Sequence, residues 1–150
     1  MDEESIDIAA PRAQVWALIA DFANMRRWSP ELRRIIWLGG ATGPVVGARF
    51  VGVNRHGLIP WATVSKVTRC DAESQIEWEV TTSSTRWGYR FADAADGGTR
   101  VTEYREPYKR TNPFVKGVTA SGIIGRGRED LMRAGMRTTL ERVKAAAEAR

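Results

Sequence analysis

Between residues 33 and 106 the chain repeatedly alternates apolar and polar residues over short runs that are cut by turn chemistry. In "QIEWEVTTSSTRWGYRF", Ile76, Trp78 and Val80 occupy alternate positions, and after "TSS" so do Trp87, Tyr89 and Phe91. Side chains alternate faces along a strand, so each run presents one apolar side. The same reading predicts strands at Ile35–Leu38, Arg49–Arg55, Trp61–Arg69, Gln75–Thr81, Arg86–Ala92 and Thr99–Glu106. "GGATGPVVG", "RHGLIP", "DAES" and "DAADGG" supply the other connections, at hairpin spacing. Ile6 and Ile8, alternating with Ser5 and Asp7, add a strand at the N-terminus. Seven strands in antiparallel order, each with one apolar face, need something to cover that face.

Helices are the available cover. Pro11 suits a first helical position, where a missing N–H costs nothing. Val15, Leu18, Ile19 and Phe22 follow the i, i+3, i+4, i+7 rule, and the helix is expected to end near Asp21. "NMRRWSP" reads as a second short helical turn closed by Pro30. Arg128 to Ala149 is free of proline and predicts a helix of ~33 Å. Its apolar side carries Leu131, Met132, Gly135, Met136, Thr139, Leu140 and Val143; Arg133, Arg137, Glu141 and Lys144 cover the rest.

Composition narrows the function classes. A chain of 150 residues, 43% hydrophobic and 27% charged, is the size of one globular domain and spans 1–150 without a repeat or linker. No run of ~18 apolar residues predicts a membrane span. "MDEESIDIAAP" does not read as a secretory signal, so a cytoplasmic location is expected. Cys70 is the one cysteine and His56 the one histidine, which argues against a disulfide framework and against a zinc site. The net charge of +5 comes mostly from arginines that are scattered along the chain. No motif for reading nucleic acid surrounds them, and nucleic acid is not expected as a partner.

Specific stretches point further. "IDIAAPRAQVWALIADFANMRRWSP", with Pro11, Val15, Trp16, Asp21, Trp28 and Pro30, resembles the opening of the START/Bet v1-like (SRPBCC) superfamily, in its bacterial polyketide cyclase/dehydrase and lipid-transport branch. "VGARF", "VTRCDAESQIEWEV" and "GGTRVTEYREP" resemble later segments of the same family. The resemblance implies an α+β helix-grip fold: a seven-stranded curved antiparallel sheet wrapped around the long C-terminal helix, with two short helices between strands 1 and 2. It implies a cavity there for a hydrophobic or amphipathic small molecule (lipid, polyketide or isoprenoid), without a cofactor. The family name also implies an alternative, a cyclase or dehydratase. Some bacterial relatives are described as acting on quinones or as toxin-like partners of other proteins, a third reading. A monomer or homodimer, with peripheral membrane contact, is compatible with each.

In that fold the inward side chains of the sheet are Phe50, Trp61, Thr63, Val67, Ile76, Trp78, Val80, Trp87, Tyr89, Phe91 and Val101. Leu131, Gly135, Met136 and Thr139 face them from the helix, and Asn54 shares the face of its strand. Rings of this size either fill a core or wall a pocket. Glu103 and Arg105 fall on the face of Val101. They are either anchors or an acid and base inside the cavity, or a partly solvated pair near the end of the sheet. The second is the simpler expectation, because buried charges need partners. His56 belongs to a hairpin tip, at the surface, and Cys70 is expected to be unreactive. Gly117 to Gly127 read either as a gate at the pocket mouth or as a loop needing positive φ. Trp28, with Arg26 and Arg27, either caps the pocket, touches a membrane surface or packs the short helix on the sheet.

Overall fold

A computed structural model describes residues 2–108 and 125–149. Strand β1 (Asp2–Ile8) is followed by helix α1 (Arg12–Ala20), a 3-10 turn (Phe22–Asn24) and helix α2 (Met25–Trp28). Six strands come next: β2 (Leu32–Trp37), β3 (Arg49–His56), β4 (Ile59–Asp71), β5 (Gln75–Val80), β6 (Thr85–Asp93) and β7 (Thr99–Pro107). Helix α3 (Gly125–Glu148) ends the fold. All seven strands form one antiparallel sheet in the order β1-β7-β6-β5-β4-β3-β2. This is the helix-grip arrangement expected from the sequence. Of the expected glycine gate, residues 117–124 lie outside the described residues, while Gly125 and Gly127 fall in the first turn of α3.

Local chemistry explains most boundaries. Pro11 stands in extended conformation before α1, and the Asp21 carboxylate accepts from the Ala23 N–H at 3.2 Å to start the 3-10 turn. Strand β4 extends beyond its alternating run at both ends because its neighbours supply ladder partners there. The pairing slips between Val67 and Arg69, so that Cys70 stands opposite Ile76 on the inward face. Simple alternation would turn Cys70 outward; the bulge returns it to the core side. Its thiol donates to the Pro44 carbonyl at 3.4 Å, and burial pushes its pKa up, which keeps it a thiol at neutral pH.

The inward face is partly solid core. Phe22 packs against Trp37, Phe50 and Trp78 with ring centroids 5.6, 5.4 and 5.4 Å away. Trp16 meets Phe91 edge-on at 5.3 Å. From α3, Met136, Leu140, Val143 and Ala147 are buried against the sheet and α1. Polar ties fix the helix axis: Lys144 donates to the Asp7 carbonyl at 2.8 Å, Gln14 to the Ala147 carbonyl at 2.7 Å, and the Ala9 N–H to Glu148 at 2.9 Å. Thr139 and Arg142 both donate to the Trp28 carbonyl at 3.3 Å. Trp28 is thereby buried where α2 meets α3, with Arg27 over its ring at 4.7 Å, and it is a packing residue rather than a cap on the pocket.

Candidate functional site

Where α3 crosses the sheet around Leu131–Thr139, no described residue fills the interior. A cavity of about 450 Å³ lies between β3–β7, the link from α2 to β2, and α3. The sequence places most of its wall by alternation: Phe50, Asn54, Trp61, Thr63, Trp78, Val80, Trp87, Tyr89 and Glu103 line it from the sheet. Leu131, Gly135, Met136 and Thr139 line it from the helix. Five of the residues expected on the inward face do not line the cavity: Val67, Ile76 and Val101 are buried in the core, and Phe91 and Arg105 lie elsewhere. Phe91 is closed off beneath Trp16, and Arg105 is drawn aside by Asp2, to which its Nε and Nη2 donate at 3.2 and 2.5 Å.

The link between α2 and β2 contributes a part of the wall that the sequence did not signal. Ser29, Pro30 and Glu31 of the link line the cavity, with Met25 of α2 and Leu32 and Arg33 of β2 on either side, and Pro30 is the nearest neighbour a side chain at Gly135 would meet, at 3.9 Å. Nothing periodic marks such a segment. Ser65, by contrast, shares the inward face of Trp61 and Thr63, and alternation alone would have found it. Gly52 also borders the cavity, where a Cβ would come within 2.9 Å of the Thr63 hydroxyl.

Glu103 decides the chemistry of the site. The simpler expectation of a partly solvated pair with Arg105 does not hold: Glu103 is 4% exposed. Arg105 spends its charge on Asp2, which Arg133 also contacts at 3.2 Å, so among the described residues no cation is left to hold Glu103 ionised. Burial pushes the Glu103 carboxyl up to about 8, and the hydrogen bond from Tyr89, its register partner on β6, opposes that rise without cancelling it. At neutral pH the group is therefore largely a neutral carboxylic acid. The Tyr89 hydroxyl is itself pushed well above the usual phenol range by burial and then by Glu103. Together they form an acid–phenol pair inside an aromatic enclosure.

The other end of the lining is different. At the β3–β4 hairpin, exposed His56 lies 3.7 Å from the Glu31 carboxylate, and Arg33 and Arg55 complete that rim. Among the described residues no cluster of His, Cys, Asp and Glu is arranged to hold a metal ion. No described helix is long and apolar enough to cross a membrane.

The family model described as polyketide cyclase / dehydrase and lipid transport matches residues 3–148. The chain belongs to that family. Among solved structures it is similar to Cgl2372 of Corynebacterium glutamicum, a Polyketide_cyc-like protein. The two are 29% identical, with a TM-score of 0.61 over 98% of this chain and 90% of that one. TTHA0849 of Thermus thermophilus is 16% identical with a TM-score of 0.71, covering 98% of this chain and 96% of its own. The di-domain ARO/CYC StfQ from the steffimycin biosynthetic pathway matches 99% of this chain at 16% identity and a TM-score of 0.70. This chain spans 44% of StfQ, so the likeness concerns one part of a longer protein. These last two similarities establish the fold alone. No curated protein matches the chain.

Proposed function

We propose that this member of the polyketide cyclase/dehydrase and lipid-transport family binds a hydrophobic or amphipathic small molecule in the space between the sheet and α3. The observation that carries this reading is the cavity of about 450 Å³ walled by Trp61, Trp78, Trp87 and Met136. An apolar enclosure of that volume, with a few convergent polar groups, suits one ligand of modest size. Apolar burial at ~25 cal/mol per Å² supplies the affinity, and the polar groups set orientation. A panel of fatty acids, fatty alcohols and aromatic polyketides is expected to quench tryptophan fluorescence and raise the melting temperature. A panel that moves neither signal rejects the reading.

A second reading is favoured by Glu103. A buried carboxylic acid with its pKa near 8, beside a phenol, is placed to move protons on a carbonyl-rich ligand, a chemistry compatible with the cyclase and dehydrase named in the family's description. On this reading Glu103→Gln loses turnover of a poly-β-ketone substrate by ~100-fold or more while its ligand affinity stays within a few-fold of native. Turnover that survives the substitution removes Glu103 from any reaction.

A further inference from the structure

The cavity lining carries ionisable groups at its two ends, and between them tryptophans with only the hydroxyls of Thr63 and Ser65 as polar groups of the sheet. The register sets this layout. At one end Glu103 on β7 pairs with Tyr89 on β6; at the other, the β3–β4 hairpin sets His56 opposite Ile59 and Asn54 opposite Trp61. Between the ends run Trp87 and Trp78, paired across β5 and β6. Every described α3 residue of the lining, from Leu131 to Thr139, is uncharged.

The two ends differ in kind. Around Glu103, β6 contributes the Tyr89 phenol, and β1 contributes Glu4 at the opposite register position. The next inward residue on β7 is Arg105, whose guanidinium is taken by Asp2. Among the described residues this end therefore holds no free cation for an anionic ligand group. A protonated carboxyl bonded by one phenol proton still has its own O–H to give. Without an acceptor in the cavity that donor is left unsatisfied, which is costly in an apolar surrounding. At the hairpin end the balance is reversed. Arg33 and Arg55 line the rim together with the Glu31 carboxylate, which His56 faces at 3.7 Å, so the guanidiniums outnumber the one acid there. Among the described residues neither arginine is ion-paired with an acid, and the Arg55 guanidinium donates to the nearby Gly57 carbonyl at 2.7 Å.

We infer that the ligand of this cavity is two-headed: an uncharged hydroxyl or carbonyl oxygen accepts from Glu103 at the inner end, an apolar body lies along Trp78 and Trp87, and an anionic group meets Arg33 and Arg55 at the hairpin rim. The inference rests on the cavity being a binding site and adds the order and charge of the groups within it. A plain fatty acid satisfies the rim but leaves Glu103 facing a methyl end. A diol satisfies Glu103 but brings no charge to the arginines.

Three probes of one chain length test this: 12-hydroxydodecanoate, dodecanoate and 1,12-dodecanediol, titrated at pH 6.5 with tryptophan fluorescence as the readout. The hydroxy acid is expected to bind about 10-fold more tightly than either of the other two probes, as one well-placed hydrogen bond or ion pair would give. It is less hydrophobic than dodecanoate, so partition alone predicts the opposite order. Glu103→Leu is expected to erase the gap between hydroxy acid and dodecanoate, and Glu103→Gln, which keeps a donor, to retain it. Replacing Arg33 and Arg55 together by alanine is expected to erase the gap between hydroxy acid and diol. Equal affinity for all three probes in the native protein overturns the inference while leaving ligand binding standing. So does a hydroxy-acid preference that survives Glu103→Leu. Absence of binding by any probe overturns both.

Discussion

Glu103 shows how far one position departs from its ordinary behaviour when the sheet closes over it. A surface glutamate titrates near 4.5; here burial moves the group to about 8. Folding thus raises the proton affinity of this carboxyl, and the sign follows. The native state binds more protons than the unfolded chain between those two values, so stability falls as pH rises through that window. The contribution of this one residue is on the order of 5 kcal/mol across the window. Chemical denaturation of Glu103→Gln is expected to show a flatter stability profile from pH 5 to 8 than the native protein, with the variant the more stable at the alkaline end. A native profile that is already flat over that range contradicts the burial of Glu103. The residue's identity was legible as an inward position two places after Val101. Its isolation was not, because that depends on Asp2, some hundred positions away, taking up Arg105.

At the scale of the element, two glycines carry opposite consequences. Gly88 on β6 faces outward, and the Tyr104 side chain lies across it. A Cβ there would come within 2.5 Å of the Tyr104 hydroxyl and 2.7 Å of the Ile76 carbonyl oxygen. That tyrosine is pushed up to about 12 by burial and by its hydrogen bond to Glu77, and Arg90 lies 4.7 Å above its ring. Gly135 on α3 meets only the Pro30 ring, at 3.9 Å, an ordinary contact. Gly88→Ala is therefore expected to cost about 1–3 kcal/mol, by forcing Tyr104 out of place. Gly135→Ala is expected to stabilise by about 1 kcal/mol, through helix propensity. Thermal unfolding of the two variants checks both signs; equal shifts in one direction would contradict the packing described. Strands and helices were themselves readable from periodicity. The bulges at Arg33 and Thr68 were not, since a bulge answers to the neighbouring strand's register and leaves no local mark.

Over the whole molecule, the arginines divide into two populations. Arg12, Arg69, Arg86, Arg90, Arg100, Arg105, Arg133 and Arg137 are paired with acids, half of them with acids of β1. Arg26, Arg27, Arg33, Arg34, Arg49 and Arg55 have no acidic partner within ion-pair distance among the described residues, and they gather around α2, β2 and β3. Of these, Arg33 and Arg55 line the hairpin end of the cavity, whereas Arg49 stands at the far end of β3. Long-range pairing of the other arginines produces that division, which short-range sequence patterns do not mark.

Local rules carried a large share of this protein. Alternation set the seven strands and most of the inward face, helical spacing set the buried side of α3, and turn residues set the hairpins, because each depends only on neighbours a few positions away. The tertiary structure decided which of the aromatic residues became core and which became wall. Phe22 and Trp16 fill the space over Phe50 and Phe91, while no described residue fills the space over Trp61 and Trp87. It also decided that Glu103 stands without a cation among the described residues. Both outcomes depend on what distant segments place opposite a given face, and that is a property of the closed sheet and its helix rather than of any short stretch of chain.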